Sequence, residues 1–323
     1  MLLTRRRVLV SGLAAATVST AHSQTYPARP VTIVVGYAAG GGVDAVVRTL
    51  SVPLSARLGQ PVVVDNRPGA SGTIAATHVA RGAADGHVLF GTDGGALALN
   101  GALFSKLAYD PVRDFAPVSL IIRAPLLVVA HPSFPASDLK GLIDYAQRAG
   151  GSLSYASPGL GTYHHLGMEL LKSRAGFQAQ DIQYKGAAQA VQDVISGQVP
   201  VMPLDSIVAL PQLRSGKLKA LVAFTQKRLV QLPEVPTAAE SGFSELDVYP
   251  WVGLVAPGAT PPPIVSRLAT ELRAIIASKE VSDRFIGLGM EPYSTSPEQF
   301  ASFIRSEIVR WHPLIEKLGI KLS

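Results

Sequence analysis

Short runs of β-branched and other apolar residues alternate along this chain with longer stretches whose apolar residues recur at helical spacing. That alternation is the tightest constraint on the fold, because it builds βαβ units whose helices cover a mostly parallel sheet. The expected fold class is α/β. Strands are predicted over residues 31–35, 62–64, 88–90, 126–130, 153–155 and 218–224, and helices over 44–58, 139–149, 163–173, 187–196 and 264–277. Pro53 is expected to kink or break the first helix, since its ring clashes with the preceding turn. The last helix is the best signed, with Ser296 as N-cap, Pro297 at the first helical position and Gln299 completing a capping box. Phe300, Phe303, Ile304, Ile308, Trp311 and Ile315 then follow at helical spacing, a stripe that reads as core packing. A chain of 323 residues exceeds what one core usually serves, so about two domains are expected.

One local arrangement occurs twice. Residues 31–35 lead through Gly36, Gly40, Gly41 and Gly42 to a helix beginning near Asp44, and residues 153–155 lead through Gly159 and Gly161 to a helix beginning after Thr162. A glycine-rich loop between a strand and a helix N-terminus presents unpaired backbone N–H groups and the positive end of the helix dipole. It therefore favours an anion and lets that anion approach the backbone closely. Two such junctions, one per expected domain, could grip an anion between them.

The net charge of +6 loses its force once it is divided along the chain. Arg5, Arg6 and Arg7 supply three of those charges in an acid-free leader, which leaves +3 for residues 24–323. No clustered basic stripe or aromatic-studded basic groove is present to hold nucleic acid. The leader joins its basic start to about 14 mostly apolar residues and the small-residue exit Ala21-His22-Ser23, the layout of a secretory signal too short to span a bilayer. Cleavage is expected near Ser23, with a twin-arginine or an ordinary export route both open. The absence of cysteine excludes disulfides, thiolate nucleophiles and cysteine metal sites, and makes the chain indifferent to an oxidising compartment.

Catalytic patterns are weak. Gly40-Gly41-Gly42-Val43-Asp44-Ala45 satisfies a dinucleotide fingerprint, and Asp65 lies where a ribose-binding acid would sit, but the loop after Gly36 is longer than a pyrophosphate turn requires. No G-x-S-x-G elbow and no H-E-x-x-H pair occurs. His164 and His165 are adjacent and must face different sides of their helix, one at a cleft edge and one at the surface, while His165 and Glu169 could share a face. Asp110 and Asp114, flanking Pro111, read as turn and cap residues.

The ordered blocks Tyr26-Pro27-x-x-Pro30, Ala39-Gly40-Gly41-Gly42-Val43-Asp44, Leu58-Gly59-Gln60-Pro61 running on to Asp65-Asn66-Arg67-Pro68-Gly69, Ala84-Asp85-Gly86 and Tyr109-Asp110-Pro111 closely resemble the substrate-binding receptors of tripartite tricarboxylate transporters, the Bug receptor family. Tyr184-Lys185-Gly186, Leu232-Pro233-Glu234-Val235-Pro236-Thr237 and Ser296-Pro297-Glu298-Gln299-Phe300 continue the resemblance, which covers nearly all of residues 24–323. It implies a two-lobed type II periplasmic binding protein fold. Lobe 1 would comprise residues 24–123 and 253–323, and lobe 2 residues 124–252, with crossings near 123–126 and 249–253. Such a receptor works as a periplasmic monomer that closes over a small carboxylate (a dicarboxylate, an aromatic acid or an amino acid) and delivers it to membrane transporter subunits. It needs no cofactor, metal, nucleic acid or catalytic residue.

Residue by residue, the resemblance assigns ligand contacts to Tyr37, Ala39, Gly41 and Gly42 of the first loop, with Asp44 better suited to capping its helix beside an anion. It adds Thr92 at the next strand end, Ser157, Gly161 and Thr162 in the second loop, His165 one turn into the following helix, the floor segment Tyr184, Lys185 and Gly186, and Asp205 at the end of the strand over 199–205. Lys185 suits anion steering or plain solvation. Pro200 and Pro203 stand where the family often has an acid and an aromatic, which predicts a bend in that strand. Ala38 replaces a frequent proline and should loosen the first loop. Asp93 adds an acid where small residues are common, favouring an amino acid or monocarboxylate over citrate-like trianions. The alternatives are an exported α/β enzyme using the glycine loop for a phosphate or dinucleotide, and a periplasmic sensor presenting its closed lobes to a membrane kinase.

Overall fold

The computed structural model describes residues 26–322, so the expected leader and its cleavage point lie outside the described residues. The first half of the chain runs β1 (Val31–Val35), α1 (Gly42–Leu58), β2 (Val62–Asn66), α2 (Thr73–Ala80), β3 (Val88–Asp93), α3 (Asn100–Leu103), β4 (Phe115–Arg123), β5 (Leu126–Ala130) and α4 (Leu139–Arg148). It continues β6 (Ser154–Ser157), α5 (Tyr163–Ala175), β7 (Gln180–Gln183), α6 (Ala187–Ile195), β8 (Val201–Asp205), α7 (Ser206–Arg214) and β9 (Lys219–Ala223). The last part is β10 (Trp251–Pro257), α8 (Pro262–Ile276), α9 (Lys279–Gly287), β11 (Glu291–Pro292) and α10 (Pro297–Lys317). No helix among the described residues is long and apolar enough to cross a membrane.

These elements form two sheets, each faced by helices. The first has the order β11-β4-β10-β3-β1-β2 and the second β7-β6-β8-β5-β9. The expected α/β class is what the chain adopts, but the sheets are mixed rather than mostly parallel. β1 pairs parallel with β2 and β3, whereas β10 runs antiparallel to both β3 and β4. In the second sheet β6 is parallel to β7 and β8, and β5 is antiparallel to β8 and β9. The cause is the crossing: the chain leaves the first sheet through β4 and returns through β10, so both β5 and β10 start at the junction where β8 and β3 end. Leu126 is accordingly the register partner of Asp205, and Val252 that of Asp93. The N–H of Ala124 donates to the Pro250 carbonyl at 2.7 Å, tying the two crossing segments together.

Packing explains the departures from local expectation. α1 runs through Pro53 without a break, because Val46, Val47, Leu50, Leu54 and Leu58 are buried on both sides of it. It stops at Gly59, whose φ of 70° is the left-handed conformation glycine adopts at low cost. β8 also keeps an unbroken register against β5 through Pro203, so the proline does not interrupt the pairing; the register irregularity of β5 falls between Val128 and Val129 on the β9 side. Buried central strands such as β1 and β5 are dominated by apolar residues, while the edge strand β7 is polar and half-exposed.

α10 forms with its capping box intact, and Phe300, Ile304, Trp311 and Ile315 enter the core as the stripe required. It also packs on α5, bridging the two sheets. At that bridge the carboxylate of Glu307, 7% exposed, accepts hydrogen bonds from Tyr163 Oη at 2.8 Å and from Trp251 Nε1 and Trp311 Nε1 at 3.1 Å each. Asp110 and Asp114 are turn residues as expected, accepting from the N–H groups of Val112, Arg113 and Asp110.

Candidate functional site

A cavity of about 740 Å³ lies between the two sheets, within the size range of small-molecule sites. It sits where strands β1, β3, β6 and β8 end, the position at which open α/β sheets present helix N-termini to ligands. Residues at the start of α1, α5, α6 and α7 reach its wall: Gly41 and Gly42, Thr162 and Tyr163, Gly186 and Ala187, and Asp205 with Ile207. The N-caps of α1, α6 and α7 carry no side-chain hydrogen bond to their helices. Thr162 caps α5 by accepting from the His165 N–H at 3.4 Å. First-turn N–H groups have no partner within a helix, so four positive helix ends converge on one space. No lysine or arginine lines it among the described residues, and Leu99, Leu103, Leu160 and Val208 make much of the remaining wall apolar.

The first loop is braced from behind. Asp44, 2% exposed, accepts from the Gly40 N–H at 2.8 Å, Asn66 Nδ2 at 2.9 Å and Arg48 Nε at 2.9 Å. Burial pushes its carboxyl up, but those donors outweigh burial and hold it below the usual carboxylate range. Asp44 therefore shapes the loop from outside the cavity wall; it does not cap α1 as expected, since the N-cap is Gly41 and Asp44 lies within the first turn with its carboxylate turned back to the Gly40 N–H. Tyr37 lines the cavity and donates from its hydroxyl to Asp93 Oδ1 at 2.8 Å. The same oxygen accepts from the Gly95 N–H at 3.0 Å, so Asp93, although in the wall, is engaged in closing the turn that follows β3. Burial pushes its carboxyl up despite these donors.

Of the residues singled out in the sequence, the structure brings Tyr37, Gly41, Gly42, Asp93, Gly161, Thr162, Gly186 and Asp205 together around the cavity. Ala39 is exposed on the outer side of its loop and Lys185 is exposed to solvent, neither in the wall. Thr92 and Ser157 are fully buried behind it, each with a hydroxyl that finds no hydrogen-bond partner among the described residues. Tyr184 turns its hydroxyl to Asp193 Oδ2 at 2.6 Å, and burial and that carboxylate push its pKa up to about 12. Asp65, the candidate ribose acid, pairs with Arg67 at 2.7 Å and is not part of the wall.

The cavity-facing position expected of His165 belongs to His164. Successive helical residues point about 100° apart, so only one of the pair can face the cavity, and it is His164. His165 turns inward, accepting from the Gly161 N–H at 3.3 Å, with Nε2 3.7 Å from Asp181 and 3.9 Å from Glu169. Both histidines are buried, so neither is the surface residue anticipated. His165 thus supports the second loop from below.

Several wall residues had no signal in the sequence. Ser71 adopts a left-handed φ of 51°, next to Ala70 at 46°, and its carbonyl accepts from Asn100 Nδ2 at 3.0 Å. Two non-glycine residues held in that conformation beside a cavity are the kind of local strain that accompanies binding sites. Asn100 and Tyr163 also line the space. A left-handed pair is invisible to residue type, and Asn100 lies in an apolar stretch that reads as core.

Two α/β lobes joined by crossing segments, with helix N-termini converging on the cavity between them, define a solute-binding protein of the hinged two-lobe class. The profile of the tripartite tricarboxylate transporter family receptor matches residues 46–320, and the chain belongs to that family. It is 36% identical over 322 residues to Protein BugT of Bordetella pertussis, covering 98% of this chain and 99% of that one. Among solved structures it is similar to R. palustris Rpa4515 with adipate, at TM-score 0.82 and 34% identity over 92% of this chain and all of that one. It is likewise similar to MatC from Rhodopseudomonas palustris with bound malate, at TM-score 0.77 and 36% identity over 90% of this chain and all of that one. Members of the family are periplasmic binding proteins, and this chain is a solute-binding receptor with their type II fold.

Proposed function

We propose that this receptor captures a small carboxylate in the periplasm by closing its lobes, as a monomer, and hands it to the membrane subunits of a tripartite transporter. The observation that carries the reading is the convergence of four helix N-termini on a cavity whose wall contains no lysine or arginine. An anion there is held by backbone N–H groups and helix dipoles rather than by a salt bridge. The proposed contacts lie at Gly41 and Gly42 on one side and at Gly161, Thr162 and Gly186 on the other, with Tyr37, Asp93 and Asp205 shaping the remainder. Because the N–H groups of Gly41, Gly161 and Gly186 already donate to the Ala38 carbonyl, His165 Nδ1 and the Pro158 carbonyl, the donors to the anion are the first-turn N–H groups beginning at Gly42, Tyr163 and Ala187. The proposed lobes are residues 24–123 with 253–323, and residues 124–252, with the return crossing entering β10 of the first sheet already at Trp251. Contacts to both lobes favour the closed state over the open one by as much as the ligand binds it better. Relatives with bound adipate and malate support the ligand class.

A thermal-shift screen tests the proposal with mono-, di- and tricarboxylates, amino acids, aromatic acids, NAD and inorganic phosphate. A ligand present at about a hundredfold over its Kd stabilises by about 2.7 kcal/mol, or about 5 °C for a chain of this size. A saturable shift with carboxylates that weakens in Thr162→Val is expected. A shift with NAD or phosphate and none with carboxylates would overturn the reading in favour of an enzyme.

A further inference from the structure

Asp205 has unused acceptor capacity. It precedes α7 in extended conformation, yet its side chain makes no capping bond to that helix. It accepts no hydrogen bond among the described residues; 22% of the side chain is exposed, and the residue lines the cavity. Among the described residues its one ion-pair neighbour is His164, 8% exposed and also in the wall, whose Nε2 lies 3.1 Å from Asp205 Oδ2 without hydrogen-bond alignment. Both ring nitrogens of His164 and the Oδ1 atom of Asp205 are buried without a partner. The contrast with the other acid of the wall is direct, since Asp93 already accepts from Tyr37 and the Gly95 N–H.

An ionised carboxylate can only accept hydrogen bonds. A ligand whose own carboxylate sits at the N-termini of α1 and α5 must therefore bring something to Asp205, which stands at the start of α7. A methyl group would leave the acid unpaired. A second carboxylate would place like charges together with only the His164 imidazole, and no lysine or arginine, in the wall beside them. A hydroxyl or an ammonium group satisfies the acid directly. We propose that Asp205, beside His164, reads a hydrogen-bond donor on the ligand, so that this receptor takes hydroxy or amino monocarboxylic acids in preference to di- and tricarboxylates. The inference rests on the proposed carboxylate function and narrows it.

The test is calorimetric titration of the unmodified chain with probes that differ only in the group carried: butanoate, butanedioate, and butanoates bearing a hydroxyl or an amino group at carbon 2 or carbon 4. At least one donor-bearing acid is expected to bind about tenfold or more tighter than both butanoate and butanedioate, the range of a hydrogen bond to a charged group. In Asp205→Leu that preference should fall below about twofold, with butanoate binding retained, because the amide-lined end is untouched. Tightest binding by butanedioate, or a donor preference that survives Asp205→Leu, overturns the inference while leaving the carboxylate function standing. Binding by none of these acids overturns the inference, and the carboxylate function falls with it only when the wider thermal-shift panel of carboxylates gives no shift either. The ligand comparison in the unmodified chain decides the class even if the variant fails to fold.

Discussion

Replacing Glu307 by leucine isolates the bridge between the lobes. The Glu307 carboxylate accepts from Tyr163 at 2.8 Å and from Trp251 and Trp311 at 3.1 Å each, while Arg310 Nη1 stands 4.0 Å off. Trp251 Nε1 also donates to Tyr163 Oη at 2.8 Å and so keeps a partner when the carboxylate is gone. Two buried donors, the Tyr163 hydroxyl and the Trp311 N–H, are left without one. At about 1–3 kcal/mol for each unsatisfied buried group the direct loss is about 2–6 kcal/mol. Relief from burying a carboxylate offsets part of it, so a net loss of about 3 kcal/mol is expected. For a chain of this length that corresponds to a melting temperature lowered by about 6 °C. Glu307→Gln retains an accepting oxygen and should lose about 1 kcal/mol. Because Tyr163 and Glu307 share one network, Tyr163→Phe should cost much less in the Glu307→Leu background than alone. Thermal melts followed by tryptophan fluorescence supply all four values. A Glu307→Leu melting temperature within a degree or so of the parent, or full additivity of the pair, would refute the reasoning.

Gly94→Ala should be severely destabilising, because a Cβ there would lie 2.2 Å from Tyr163 Oη and 2.7 Å from the Trp251 ring; an unchanged denaturant midpoint would contradict the packing described. Asp44, held below its usual range, should stabilise the parent relative to Asp44→Asn fully above about pH 4. That advantage should fade as pH falls through the lower folded value, so urea midpoints that differ equally at pH 7 and pH 3 would count against the loop brace. For His165, burial lowers the pKa from 6.5 against the opposing pull of Asp181 and Glu169, so the folded chain favours the neutral ring. Stability should drop as pH falls below about 6.5, and His165→Gln should flatten that slope between pH 7.5 and 5.5; an unchanged slope would remove His165 from the account.

The capping box at Ser296 and the β-branched and apolar runs of β1 and β5 could be read from the chain because their determinants lie within a few residues. β10 and β4 were not predicted as strands, since a short apolar run does not distinguish strand from buried helix without its partners. Their antiparallel placement follows from where the chain crosses, which no local pattern encodes. The same limit governs the site. Adjacency established that His164 and His165 face apart, but only packing against Asp181 and Glu169 decides which turns inward. The glycine loops announced anion-holding amides, whereas the strained Ser71 and the Glu307 bridge depend on contacts 29 and 144 residues distant in sequence.

The most direct test of the central claim is a crystal structure of the receptor with the carboxylate that stabilises it most. The ligand carboxylate should lie within hydrogen-bonding distance of first-turn N–H groups from both α1 and α5, with the two lobes closed around it. A carboxylate bound outside the cavity, or held by a lysine or arginine side chain away from these helix ends, would contradict it.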